Sequence, residues 1–429
     1  MSWFDKIYKG LYYPANQNFQ SFIQSFQFAK MKSNTKIQLS IMMFLQFFVW
    51  GVWYVTMGTY LQKIGFQGTD IGSAFSTVNL AAIVAPLFVG MVADRFFDAE
   101  KVLSFLHFAG GIILFWVSTI TQPDTFYWAL LLYAFFYMPT LAIANAVAFY
   151  QMDKPEKEFP PIRVLGTIGW IVAGLVVGFM NIEPTAIPLK IGAGVSVFMG
   201  IYSFFLPNTP PKAKGQNVTI GKILGFDAIA LMKDRSFAIL VISSLLISIP
   251  LAFYYAFTNP FLNEMGMTNA AGKMTMGQMS EIIFMLLIPF FFTRLGVKKM
   301  ILIGMFCWLA RYLLFAFGNN EGLVFMFYLG IILHGLCYDF FFVTGQIYVD
   351  NEAPEEVRSS AQGLITLVTY GIGMYIGSIY SGHVVEQHQI MSDAGEVAGH
   401  AWRSIWIIPA GLAAVVLVLF AILFKDKER

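Results

Sequence analysis

Residues 207–235 read PNTPPKAKGQNVTIGKILGFDAIALMKDR, the longest polar break in an otherwise apolar chain. A membrane-spanning helix needs about 20 predominantly apolar residues. Counting outward, six such runs precede the break, at 38–61, 70–93, 102–121, 125–150, 161–181 and 187–206. Six follow it, at 236–262, 275–293, 299–317, 323–347, 358–382 and 402–424. Six spans on either side of a basic central loop predict two pseudo-symmetric halves, with a substrate site between them at mid-membrane. The predicted fold is therefore an all-α membrane protein of twelve transmembrane helices. Its parts are a tail at 1–35, a first half at 36–206, a linker at 207–235, a second half at 236–425 and a short tail at 426–429.

Composition agrees. Of 429 residues, 57% are hydrophobic and 12% charged, and the mean hydropathy is +0.66. Soluble domains carry about a quarter charged residues, so the class is a polytopic membrane protein in contact with lipid. A net charge of +2 without arginine-rich runs gives no support for nucleic acid. Cys307 and Cys337 lie inside apolar runs and read as buried free thiols, and neither a metal nor a cofactor is expected. No cleavable signal pattern opens the chain. Residues 1–30 read either as a short surface helix carrying Trp3, Phe4, Ile7, Tyr8, Leu11 and Tyr12, as a tail, or as sequence upstream of a start at Met31. With the N-terminus in the cytoplasm, 21 of the 27 Lys and Arg residues fall on the cytoplasmic side and four on the other. That bias puts both termini and the central loop in the cytoplasm.

Four charges stand inside the apolar runs: Arg163, Glu281, Arg311 and Asp339. A charge at membrane depth costs several kcal/mol, so it is paired, neutralised or lines an aqueous cavity. Counting at about 1.5 Å per residue puts Glu281, Arg311 and Asp339 roughly 15–20 Å from the cytoplasmic ends of their spans, in one layer. Two acids and one arginine are not all neutralised pairwise. The simplest arrangement pairs Arg311 with one acid, Asp339 or Glu281, and leaves the other free to carry a proton. The alternative is a static ion-pair cluster joining spans nine and ten.

Gln278 shares a helical face with Glu281, and His334 and Tyr338 precede Asp339 in span ten. Span five opens Phe159-Pro-Pro-Ile-Arg163, with the prolines suited to a first helical turn. Arg163, Thr167 and Trp170 then recur on one face, a stripe that suits a ligand with a flat ring and hydroxyls. Arg163 has the alternative of snorkelling to the interface. Trp50, Trp53, Tyr54 and Phe253-Tyr254-Tyr255 either floor a pocket or pack between helices. Gln46 and Asn145 either meet substrate or bond across helices. His107 and His383 have no evident partners and read as core.

Gly90-Met-Val-Ala-Asp94-Arg95 ends span two and resembles the signature of the major facilitator superfamily, with Gly90 allowing close helix approach and Asp94 and Arg95 acting in gating. The second half has Thr293-Arg294-Leu-Gly296-Val-Lys298-Lys299 at the corresponding point. Further strings are more specific: Phe44-Leu-Gln46-Phe, Trp50-Gly51, Tyr137-Met-Pro139-Thr140, Phe159 to Arg163 with Gly166-Thr167-Ile-Gly169, Gln278-x-Ser280-Glu281, Ile288-Pro-Phe-Phe, Arg311, Asp339-Phe-Phe and Ser360-Ala-Gln362-Gly363. From about Met31 onward the chain resembles the bacterial nucleoside:proton symporter family of that superfamily.

The resemblance implies the major facilitator fold and nucleoside import by proton symport through alternating access, in a bacterial inner membrane. It implies a substrate site at Arg163, Thr167, Gln278, Glu281 and the region of Asp339. The sequence departs from the family pattern in carrying Trp170 for a Phe, His334 for a Tyr, Tyr338 for a Phe, and Ala252 and Tyr255 where span seven otherwise places two amides. The full expectation is substrate binding by Arg163, Thr167, Trp170, Gln278, Glu281, His334 and Tyr338. Asp339, Glu281 and Arg311 are expected to couple the proton. A monomer is expected. The rivals are a facilitator for a sugar or related polar metabolite and a non-transporting membrane sensor. No nucleophile elbow or phosphate loop points to an enzyme.

Overall fold

The computed structural model describes residues 33–88, 97–211 and 226–425. Gly90, Asp94 and Arg95, and residues 1–30, lie outside the described residues. Twelve helical elements run back and forth. They are α1 (Ser33–Lys63), α2 (Gly68–Phe88), α3 (Ala99–Val117), α4 (Pro123–Tyr150), α5 (Pro155–Phe179) and α6 (Ile187–Ser203), then α7 (Arg235–Glu264), α8 (270–295), α9 (297–317), α10 (Val324–Glu352), α11 (Arg358–Gln387) and α12 (Trp402–Leu423). α8 and α9 form one run of 48 residues, divided at Gly296, whose φ of 69° and ψ of 176° break the helix. Only glycine takes such a backbone cheaply.

The halves are built alike. In the first, α1 packs on α5 and α6, and α3 on α4 and α6; in the second, α7 packs on α11 and α12, and α9 on α12. The halves meet along α2 with α11, α5 with α8, and α1 with α7. At the first seam Gly72 faces Gly382, and a methyl added to Gly72 would lie 2.9 Å from the Gly382 Cα. Small residues here let two backbones touch.

The three seams share one end of the bundle, where polar side chains lock it, and the α2–α11 seam continues inward to Ile83 and Gly371. Thr59 donates to Asn259 at 2.5 Å, and Thr69 gives both its N–H and its hydroxyl to Glu386. Gln62 donates to Glu264 at 3.2 Å, and Glu264 also meets the His400 ring at 2.7 Å. Glu183, 3% exposed, accepts from the Asn259 and Asn263 amides at 2.8 Å and from the Ala271 N–H at 2.9 Å. The described parts of α4, α5, α10 and α11 make no seam of this kind at the other end.

Three features depart from a plain bundle. α5 starts at Pro155, so Pro160 and Pro161 lie inside the helix and Arg163 stands about 12 Å from its start. α10 and α11 each contain a π-helical turn, at Asp339–Val343 and Leu367–Gly373. A two-stranded antiparallel hairpin, β1 (Gln389–Met391) with β2 (Val397–His400), joins α11 to α12 and is the exception to an all-helical reading of the described residues.

Candidate functional site

The seam between α5 and α8 places the first half's stripe opposite the second half's acid. Arg163 lays its guanidinium over the Phe47 ring at 4.1 Å, which holds it inside the bundle. One turn and two turns on come Thr167 and Trp170, both half-buried. Gly51 makes room for the indole: a methyl there would lie 3.0 Å from the Trp170 ring. Trp50 meets Trp170 edge-on at 5.3 Å between centroids, and Tyr54 meets both Trp170 and Tyr255. A cavity lies between them, walled by Gly51, Thr56 and Trp170 from the first half and by Tyr255, Thr275 and Gln278 from the second.

Glu281 is the electrostatic centre of this region. Arg163 acts on it across the seam, and Asp339 and the hydroxyls of Tyr255, Tyr338 and Tyr370 share its surroundings. Its side chain is 19% exposed, and its Oε2 lies 3.9 Å from Nε2 of His334, which is 1% exposed. The other ring nitrogen of His334 lies 3.1 Å from Nη1 of Arg311. Arg311 is fully buried, with its Cζ 3.4 Å from the centre of the Tyr254 ring. Tyr338, just before the π-helical turn of α10, hydrogen-bonds Tyr370 within that of α11.

The expected ion pair of Arg311 with an acid does not form: among the described residues Arg311 has no carboxylate within salt-bridge distance. Helical phase explains the difference. His334 and Asp339 are five residues apart, about 140° around an ideal helix, so α10 cannot offer both to Arg311. The histidine and the Tyr254 face take the guanidinium instead. Asp339 is 0% exposed, and neither of its carboxylate oxygens has a hydrogen-bond partner among the described residues.

Several residues have structural places that the sequence left open or hid. Gln46 donates to Thr140 at 2.7 Å and its carbonyl lies 2.8 Å from His107 Nε2, while Tyr137 donates to its backbone carbonyl at 2.5 Å. His107, expected to be partnerless core, is thus the middle of a network that also reaches Ser196. Trp53, Phe253 and Tyr254 are buried; Tyr254 and Tyr255 border the cavity, and Trp50 packs edge-on against Trp170. Tyr370 escaped notice because an uncharged tyrosine in an apolar span carries no signal of its own. Near the division between α8 and α9, Arg294 stacks on Phe290 at 3.7 Å and Lys298 donates to the Phe424 carbonyl at 2.6 Å, satisfying the end of α12.

Residues 33–429 match the model of the family described as nucleoside H+ symporter. The putative nucleoside transporter YegT of Escherichia coli K12 is 43% identical over 404 residues, covering 92% of this chain and 95% of that protein. The nucleoside permease NupG of the same organism is 34% identical over 412 residues, covering 92% and 97%. The crystal structure of nucleoside transporter NupG superposes with a TM-score of 0.83 at 35% identity, covering 92% of this chain and all of that one. These matches agree with twelve spans in two halves, the major facilitator fold of a transporter and not of an enzyme. The chain belongs to the nucleoside H+ symporter family.

Proposed function

We propose that this protein imports nucleosides with protons across a bacterial inner membrane, by alternating access of the halves 36–206 and 236–425, as a monomer with both termini in the cytoplasm. The observation that carries the reading is the site itself. Trp170 of one half and Gln278 of the other wall the cavity, and Arg163 lies across the seam from Glu281; we assign Thr167 to the same face of α5, on a seam that must open and close. A nucleoside offers a flat base and ribose hydroxyls. Trp170 and Tyr338 stack on the base. Glu281 and Gln278 accept hydroxyl or base N–H groups, and Arg163 and Thr167 donate. His334 stands behind Glu281.

With the N-terminus inside, the locked end lies outside, and the protein faces the cytoplasm. A neutral substrate carries no charge, so the gradient acts only through a co-transported proton. Asp339 is the carrier we favour. A buried carboxylate without a partner among the described residues is costly, and a proton lowers that cost by removing the charge. Glu281 and Arg311 complete the coupling: Arg311 is the cation to which a deprotonated acid can turn in another conformation. Gly90, Asp94 and Arg95 are assigned to gating at the cytoplasmic end.

Uptake of radiolabelled uridine and adenosine into transporter-deficient cells tests this. We expect saturable uptake that collapses with a protonophore and is competed by nucleosides but not hexoses. Hexose competition would favour the sugar reading, and protonophore-insensitive uptake would remove the coupling role of the acids.

The outer lock gives a separate prediction. Removing the Glu183 carboxylate takes the acceptor from the Asn259 amide and the Ala271 N–H, at about 1–3 kcal/mol each, while Asn263 keeps its bonds to Asn259. Glu183→Ala should therefore expose the outer end more often. With Thr56→Cys as reporter, at a position 2% exposed, labelling by a membrane-impermeant thiol reagent should quicken by about tenfold or more. An unchanged labelling rate would mean that Glu183 is no latch.

A further inference from the structure

α8 and α10 are clasped beside the site. Ser280 donates to the Ile332 carbonyl at 2.6 Å and accepts from the Gly335 N–H at 3.0 Å. Gly335 has no side chain to hold the helices apart; a methyl there would lie 2.6 Å from the Ser280 hydroxyl. The clasp flanks His334 on α10 and adjoins Glu281 on α8, and so fixes one against the other. On its far side the ring is braced by Tyr254, stacked at 5.1 Å and 20° between planes. The same Tyr254 carries Arg311 on its face.

This bracing decides which nitrogen of His334 bears the proton. Arginine has only donors, so Nδ1, 3.1 Å from Arg311 Nη1, must accept. The neutral ring then carries its hydrogen on Nε2, the atom that faces Glu281 Oε2 at 3.9 Å. A ring held this way has no lone pair left for a transported proton. At 1% exposure it also has no face left for a substrate.

We propose that His334 is a positioning residue: Arg311 fixes its tautomer, and its Nε2–H orients the Glu281 carboxylate for substrate without touching the substrate or carrying the proton. The inference rests on the transport reading, in which Glu281 accepts from the nucleoside. Glu281 is faced by Arg163 from α5, Tyr254 and Tyr255 from α7, His334, Tyr338 and Asp339 from α10, and Tyr370 from α11. Of these, His334 and Tyr254 also meet Arg311, His334 through a ring nitrogen and Tyr254 through its face. A positioning residue acts through its target, so its removal should cost nothing once the target is gone.

The test is a double-substitution cycle on the full chain reconstituted in liposomes, read as half-saturation and maximal rate for uridine. His334→Phe should raise the half-saturation concentration about tenfold and change the maximal rate little. His334→Gln, with one acceptor and one donor, should recover most of that loss. In a Glu281→Ala background His334→Phe should add less than twofold. His334→Leu replaces His334→Phe if that variant does not reach the membrane. Losses that multiply in the double variant, or a glutamine variant as poor as phenylalanine, overturn the proposal while leaving nucleoside transport intact. Wild-type protein that takes up no uridine overturns the transport reading and this inference with it.

Discussion

Asp339→Asn should abolish accumulation of nucleoside against a gradient and leave binding and downhill exchange in place. The carboxamide is nearly isosteric, so the packing of α10 around a 0%-exposed side chain survives. What it lacks is a proton to give up. One charge moved through 100 mV is worth about 2.3 kcal/mol, which sustains a concentration ratio of roughly 40–50-fold for one proton per nucleoside. The variant should therefore equilibrate to a ratio of about one in vesicles where the wild type reaches that figure, while exchange of labelled for unlabelled nucleoside continues. Full accumulation by Asp339→Asn would hand the proton to Glu281, the other acid of the layer.

The sequence made the fold legible because membrane helices announce themselves by length and apolarity. The division at Gly296 falls between the runs read as ending at 293 and starting at 299. The site was legible for a related reason: a charge in a span is so costly that Arg163, Glu281, Arg311 and Asp339 had to mean something. Their partners were not legible. Which face of α10 meets Arg311 depends on how α8 and α10 are clasped at Ser280 and Gly335, a contact between residues 55 apart. The π-helical turns at Asp339 and Leu367 depend in the same way on neighbours, because one register of backbone bonding gives way to another only where packing favours it. The Gln46–His107–Thr140 network was hidden because its members sit singly on three helices, each reading as an isolated polar residue. The β1–β2 hairpin is short and stands next to α12, where a span-counting eye sees only a loop.

Glu281→Ala should weaken nucleoside binding by about 10–100-fold, and the loss should belong to the ribose. A hydrogen bond to a charged acceptor is worth about 1.5–3 kcal/mol, which sets that range. The carboxylate is partly open, at 19%, and lies across the seam from Arg163. Two oxygens so placed suit a vicinal diol, which offers two O–H donors. A nucleoside lacking both the 2′ and 3′ hydroxyls should bind the wild type weakly and Glu281→Ala no worse, so the two losses should not add. Glu281→Gln keeps one acceptor oxygen and should fall between. If instead the dideoxy compound loses as much again in the variant, Glu281 meets the base, and the rings of Trp170 and Tyr338 must then flank a base held edge-on by the acid. The same measurement bears on Arg163. Its charge compensates Glu281 across the seam, so its removal strands the acid, and Arg163→Ala should be the poorer variant of the two for uptake. A nucleoside whose hydroxyls bridge that seam would draw the halves together as it binds, and this is how occupancy of the site could be felt at the outer lock.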